Sequence, residues 1–295
     1  MAEVIYRSPP STTPLNLSCL SASIDWLTAT ITKPVRLPFA QQAVTRWQEI
    51  RAADGYPVRS YAANGYTGSY VDGITWGERA DGAMVRLSGE MAAEHSHAAL
   101  IWADNVSRID FQVTLQDSST ARNWAQIALG SFTQDPRVQA GMTQYQRIVS
   151  SKGGESVYLG RRSSSRFYRI YNKTAESDGL WPATSWRFEV EYKPQRSQTW
   201  AAKVRERSWT PEDTRAVVAR AFADYGFALP CQFLPRGWSD RSPREPTDDQ
   251  RRLEYLRKFI RPMVGKLKDS FDIDVLMEAI GLYDNSAEAE EDSGT

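Results

Sequence analysis

Between Ser23 and Thr32 the chain reads SIDWLTATIT, a β-branched and aromatic run that predicts a first strand. Residues 38–53 read as a helix closed by Asp54-Gly55. From 56 to 88 several short strands are broken by Gly65, Gly68, Gly73 and Gly82, with MVRLS at 84–88 the clearest. An Ala-rich helix is expected over 90–103. SRIDFQVTLQD follows with clean alternation: Ile109, Phe111, Val113 and Leu115 on one face, Arg108, Asp110, Gln112 and Thr114 on the other. A helix is expected over 120–130. SVYLG and RFYRIYNK then flank a polar turn, Arg161–Ser165, and WRFEVEYK at 186–193 alternates again. After Pro194 the pattern turns helical. Thr210-Pro211-Glu212-Asp213 is an N-terminal cap with Pro at the first helical position, and Gly226 is the stop. Pro230, Pro235, Pro243 and Pro246 mark a linker over 230–247; a basic helical stretch at 248–268 and a short helix at 272–280 complete the chain. Strands precede 195 and helices follow it, so the expected class is α+β: an antiparallel sheet with flanking helices, then a helical C-terminal part. The expected divisions are a flexible leader (1–18), a main domain (19–229), the linker (230–247), a basic helical region (248–283) and a disordered acidic tail (284–295).

The 295 residues are 41% hydrophobic and 24% charged, which excludes wholesale disorder. Lys+Arg and Asp+Glu both number 36. That balance hides a segregation, because 284–295 (DNSAEAEEDSGT) carries five acids and no base. Residues 147–173 hold seven bases against Glu155 alone, and 251–268 hold seven against Glu254. Two such local fields suit a polyanionic partner, although many solvated surfaces are as basic. Two cysteines, Cys19 and Cys231, make neither a disulfide framework nor a zinc pair. The start has no apolar signal core and no run approaches membrane-spanning length, so a cytoplasmic protein without membrane contact is expected.

No phosphate-binding loop, dinucleotide fingerprint or nucleophile elbow is present. His95-Ser96-His97 imitates a metal-binding pair, but its setting is helical, where positions i and i+2 point about 200° apart and cannot share an ion. The segment 157–176, VYLGRRSSSRFYRIYNKTAE, is more informative. As a strand, RFYRIYNK puts Arg169, Tyr171 and Lys173 on one face and Tyr168 and Ile170 on the other. A tyrosine between two cations suits nucleophilic attack on a phosphate, since both cations would lower the phenol pKa and bind the phosphate. A strand tyrosine amid solvated bases would give the same pattern. Arg187, Glu189, Glu191 and Lys193 share a face, as do Arg108 and Asp110. If these strands neighbour one another, three carboxylates converge with the tyrosine, a donor set suited to Mg²⁺ or Mn²⁺. A salt-bridged sheet face is the alternative.

The ordered set SRIDF (107–111), YLGRRSSSRFYRIYNKTAE (158–176) and WRFEVEYK (186–193) resembles the Rep_trans family, the replication initiators of small rolling-circle plasmids, related to filamentous-phage initiators and conjugative relaxases. Tyr158, Gly160, Arg162, Ser164, Arg166, Phe167, Arg169, Ile170, Tyr171, Lys173, Trp186, Arg187, Glu189 and Glu191 fit its wording, and Asp25 matches an acidic residue of its first strand. The resemblance covers roughly 23–193. It implies a metal-dependent site-specific DNA endonuclease and strand transferase in which Tyr171 attacks one phosphodiester. The products would be a 5′-phosphotyrosyl link and a free 3′-hydroxyl, and the nick would later be rejoined. Arg169 and Lys173 would hold the phosphate. Asp110, Glu189 and Glu191 would hold Mg²⁺ or Mn²⁺. Arg162 and Arg166, in the turn before the strand, would hold neighbouring backbone. Tyr158 and Tyr168 are rival nucleophiles, Tyr168 being expected to pack inward. Origin recognition would fall to the basic C-terminal region, through Arg251, Arg252, Arg257, Lys258, Arg261, Lys266 and Lys268. The implied partners are origin DNA, a host helicase and a second copy of the chain. A relaxase of a mobile element shares the same chemistry, and a non-catalytic DNA-binding regulator is the alternative from another class.

Overall fold

The computed structural model describes residues 18–116, 126, 130–150, 154–206, 208–227 and 229. All of them belong to one compact unit, Met1–Asp240. Residues 1–17 of the leader, most of the expected 120–130 helix, the linker, the basic 248–283 region and the acidic tail lie outside the described residues, and Ser18, expected to end the leader, begins the first strand.

In chain order the elements are β1 (Ser18–Ile31), α1 (Leu37–Ala53), β2 (Arg59–Ala63), β3 (Tyr66–Val71), β4 (Ile74–Arg79), β5 (Gly82–Ser88), α2 (Glu90–Trp102) and β6 (Asn105–Gln116). After them come α3 (Pro136–Gln139), β7 (Tyr145–Val149), β8 (Glu155–Leu159), β9 (Arg166–Asn172), α4 (Lys173–Glu176), β10 (Trp186–Tyr192), α5 (Pro194–Glu206) and α6 (Pro211–Ala223). Ten strands form one sheet in the order β2-β3-β4-β5-β1-β6-β10-β9-β8-β7, every pairing antiparallel. The class is α+β with an antiparallel sheet and flanking helices. β7 has no counterpart in the sequence-based expectation, its YQRIV being short and mostly exposed.

Two hairpins follow directly from local chemistry. Asn64-Gly65 joins β2 to β3 and Asp72-Gly73 joins β3 to β4, and all four residues have positive φ. That is the two-residue turn whose twist matches the flanking strands, and Asn-Gly and Asp-Gly are the pairs that tolerate it. α6 starts as its sequence dictates. Thr210 accepts from the Asp213 amide while the Asp213 carboxylate accepts from the Thr210 amide at 2.9 Å, a reciprocal cap.

The core lies between one face of the sheet and the helices. Phe111 of β6 meets Tyr192 of β10 and Trp200 of α5 edge to face. Phe188 of β10 packs on Phe222 of α6 and on Phe227. α1 is pinned to the same side, where Gln48 donates to the Ser69 and Ile74 carbonyls. Alternation then sends Arg108, Asp110, Gln112, Thr114, Arg187, Glu189 and Glu191 to the face turned away from these helices.

β1 crosses the middle of the sheet and carries a β-bulge between Ile24 and Trp26. Ala22 and Ile24 point to the core before it, Leu27, Ala29 and Ile31 after it. The one-residue slip leaves the consecutive residues Asp25 and Trp26 both on the polar face. Gly89, entering α2 with a positive φ, donates to the Asp25 carbonyl at 2.8 Å and satisfies the backbone there.

Candidate active site on the polar sheet face

β6, β10 and β9 are consecutive in the sheet, so the residues singled out on their polar positions are brought together. Arg187 stands opposite Thr114 on one side and Tyr171 on the other; Glu189 lies between Gln112 and Arg169; Glu191 lies between Asp110 and Phe167. β8 continues these rows with Ser156 beside Tyr171 and Tyr158 beside Arg169.

The charges are closely matched. Arg169 Nη2 donates to Asp110 Oδ2 at 2.9 Å and also to Glu189 Oε1. Arg108 Nε donates to Asp110 Oδ1 at 2.9 Å, and Arg108 Nη2 lies 3.2 Å from Glu191 Oε2. Lys193 Nζ stands 3.4 Å from Glu191 Oε1. Arg187, 5% exposed, donates through Nε to Thr114 Oγ1 at 2.9 Å and through Nη1 to Asp25 Oδ1 at 2.8 Å. Arg187 is also the register partner of Tyr171, and its charge acts on the phenol. A polar chain supports that arginine, since Gln112 accepts from Thr114 and donates to Ser21 and Ser23.

Burial sets the protonation of this cluster. Desolvation pushes the Glu189 carboxyl well above its ordinary value, with Asp25 and Asp110 adding to the rise and Arg169 opposing it. Asp110 is raised for the same reason against the pull of Arg108 and Arg169. The Tyr171 phenol moves up as well, first through burial and then through the Glu189 charge, with Arg187 pulling the other way. This corrects the expectation that two flanking cations lower it. The cations are committed elsewhere: Arg169 to Asp110 and Glu189, and Lys173 to Glu176 at 2.6 Å.

Two further expectations are corrected by the placement of side chains. Arg166 is the first residue of β9 rather than part of the turn, and its register opposite Tyr192 sends it to the helix side, where it pairs with Asp224. Lys173 begins α4 instead of ending the strand, yet its Nζ stays 5.8 Å from the centre of the Tyr171 ring. Arg162 lies at the other end of the cluster, 4.7 Å over Phe167 and 4.0 Å from Glu191. Tyr168 packs inward against Phe222 and Tyr225, 2% exposed, while Tyr158 stacks on Phe167. His95 lies on α2, stacked 4.3 Å from Trp47. The seven basic residues from Arg251 to Lys268 lie outside the described residues.

The carboxylates bear on metal binding in two ways. Asp110, Glu189 and Glu191 are buried oxygen donors on adjacent strands, and Glu191 Oε2 has no hydrogen-bond donor, which is the chemistry a hard divalent cation prefers. In this arrangement, however, Arg108 and Arg169 hydrogen-bond Asp110 and Glu189, and among the described residues no three His, Cys, Asp or Glu side chains form a ready ligand set.

Arg187 and Asp25 gain a position from the structure that the sequence did not assign them. Arg187 is the register partner of Tyr171 and pulls the phenol pKa down. Asp25 arrives through the bulge, whose signal was a slip in the alternation of β1 between Ile24 and Leu27.

No family model matches the chain, and no curated protein does. Among solved structures, the chain is similar to the rolling circle replication initiator protein from Geobacillus stearothermophilus, with 16% identity and a TM-score of 0.49 over 68% of this chain and 84% of that one. No helix among the described residues is long and apolar enough to cross a membrane.

Proposed function

We propose that the chain is a nicking and joining enzyme that initiates rolling-circle replication, with Tyr171 as its nucleophile. The observation that carries the reading is the gathering of Tyr171, Arg187, Arg169 and the carboxylates Asp25, Asp110 and Glu189 on adjoining strands of one sheet face, in the order the sequence resemblance implies. Tyr171 Oη attacks the phosphorus of one phosphodiester; the bond from phosphorus to O3′ breaks, and O3′ leaves with its electron pair, taking up a proton as the free 3′-hydroxyl. The phenolic proton passes to Glu189 in its ionised form, the carboxylate whose charge acts most strongly on the phenol. Arg187 supplies positive charge beside the phenol, and Arg169 and Lys173 supply it for the phosphate. The covalent phosphotyrosyl link conserves the bond, so reversal by the 3′-hydroxyl rejoins the strand.

Asp110, Glu189 and Glu191 are the residues that would hold Mg²⁺ or Mn²⁺, which would supply Lewis-acid charge at the non-bridging oxygens. Arg108 and Arg169 must then release their carboxylates to it. Origin recognition belongs in this reading to Arg251, Arg252, Arg257, Lys258, Arg261, Lys266 and Lys268, with a host helicase and a second copy of the chain as further partners. A relaxase acting on a mobile element uses the same residues. The latching of every site carboxylate by arginine favours a second reading, a DNA-binding regulator without chemistry.

A covalent-adduct assay separates them. The protein is incubated with supercoiled DNA of its own replicon and Mg²⁺ or Mn²⁺, digested, and searched for a nucleotide-bearing peptide. An adduct on Tyr171 is expected. Tight binding with no adduct on any tyrosine would establish the regulator.

A further inference from the structure

The β2–β5 half of the polar face lies outside the cluster just described, and its composition differs. Its strand positions are Arg59, Tyr61 and Ala63; Tyr66, Gly68 and Tyr70; Thr75, Gly77 and Arg79; Gly82, Met84, Arg86 and Ser88. They include three bases, three tyrosines and no acid. Arg79 is matched by Asp81 in the following turn. Arg86 has no carboxylate partner among the described residues. Its guanidinium is held through Nε and Nη2 by Thr75 Oγ1, at 3.3 and 3.1 Å, and lies 5.1 Å from the Tyr61 ring centre and 5.7 Å from that of Trp26. Arg108 takes Trp26 as well, at 4.4 Å. The result is an alternating series, Tyr61, Arg86, Trp26, Arg108, that crosses from β2 to β6 and ends at Asp110.

Glycine lays the floor of this series. Tyr61 is registered beside Gly68, and a Cβ on Gly77, one strand further, would come within 3.3 Å of Tyr61 Cε1 and 2.9 Å of Tyr66 Cβ. The tyrosine therefore lies across two residues that have no side chain. Tyr61, Tyr70, Arg86 and Trp26 are half-buried and Arg59 is exposed.

We infer that this half of the face is a track for single-stranded nucleic acid, with bases stacking on Trp26 and Tyr61 and the backbone passing Arg86 and Arg59. The inference rests on the proposed nicking reading for its direction, since the series ends beside Tyr171's cluster, and deepens it by naming where the strand lies. The chemistry favours this occupant. Rings beside a guanidinium such as Arg86, which no described carboxylate meets, accept any unpaired base and the phosphate next to it. A duplex keeps its base faces covered and presents no ring surface for Trp26.

The test uses full-length protein carrying Tyr171→Phe, so that cleavage plays no part, and labelled oligodeoxynucleotides read by fluorescence anisotropy. Added Arg86→Gln is expected to weaken single-strand binding about tenfold and to lower the salt slope by about one. Trp26→Phe is expected to bind with intermediate affinity. Arg46→Gln, an exposed α1 residue on the helix side, serves as the charge-matched control. Oligonucleotides bearing 5-iodouracil are expected to cross-link to the Trp26 or Tyr61 peptide. Arg86→Gln binding like Arg46→Gln, with cross-links elsewhere, would overturn the track even where the wild type forms its Tyr171 adduct. Equal affinity for duplex would overturn it too. Cross-links at Trp26 with Arg86 dependence would support it even where no adduct forms, leaving the nicking reading alone to fall.

Discussion

The two halves of the polar sheet face use arginine for opposite purposes. Across β6, β10 and β9 the guanidiniums of Arg108, Arg169 and Arg187 are drawn into carboxylates, and Asp110, Glu189 and Glu191 are each no more than 2% exposed. Across β2 to β5 no strand position on that face is acidic, and Arg86 rests between rings. Desolvation explains the difference. A charge taken fully from water must meet its opposite inside the protein, whereas a half-exposed cation keeps its hydration until a phosphate replaces it. One half is a finished electrostatic balance into which a reacting phosphate must intrude; the other is an unfinished one.

The comparison breaks most sharply at Tyr171. Tyr171→Phe should abolish the covalent adduct while leaving single-strand affinity within about twofold, as measured by digestion and anisotropy; residual adduct would move the nucleophile to another residue. The next largest effect is expected at Arg187. Arg187→Ala removes the donor shared by Asp25 and Thr114 and should cost about 3 kcal/mol in urea unfolding, because it leaves partly buried acceptors unpaired. A loss below about 1 kcal/mol would mean that the matched half is looser than its geometry implies.

Glu189 sharpens the contrast through pH. Its pKa is raised above 4.5 in the folded chain, so the native state holds that proton more tightly than the unfolded state. Stability from this group is therefore fully present below about 4.5 and declines as pH rises toward the folded value. Glu189→Gln removes the charge that burial disfavours, so thermal melts should show the variant more stable than the wild type at neutral pH and the decline flattened. A variant that melts lower at neutral pH would show that the pairing with Arg169 more than offsets the burial of the Glu189 charge. The smallest effect is expected for Arg166→Gln. Loss of the pair with Asp224 should lower stability by about 1 kcal/mol and leave DNA affinity unchanged, since this side chain is on the helix side. Weakened binding would return Arg166 to the DNA surface.

Much of the site was legible because it sits in strands. Period-two alternation in SRIDFQVTLQ and WRFEVEY assigned each residue to its face, and the adjacency of β6, β10 and β9 then brought those faces together. What alternation cannot give is the partner. Nothing in RFYRIYNK says that Arg169 will turn to Asp110 and Glu189, or that burial will move the phenol pKa up. The boundary of a strand decided two other residues: Arg166 came one position inside β9 and Lys173 one position beyond it, and each shift changed what the side chain meets. The Asn64-Gly65 and Asp72-Gly73 turns were fully encoded locally. The β1 bulge was written in the sequence as well, in the two-residue interval between the inward residues Ile24 and Leu27, but it is a break in a pattern and is easily read as part of it.

That bulge ties two tasks to a single frame. Asp25 meets Arg187 and thereby the tyrosine; Trp26, its neighbour in the chain, meets Arg86 and Arg108. Substitutions act on one or the other. A deletion of one codon at this point restores strict alternation and draws a single side chain from the pair, so that the strand either loses its acid or loses its ring. Lineages descending from this chain would then keep the length of β1 more strictly than its composition.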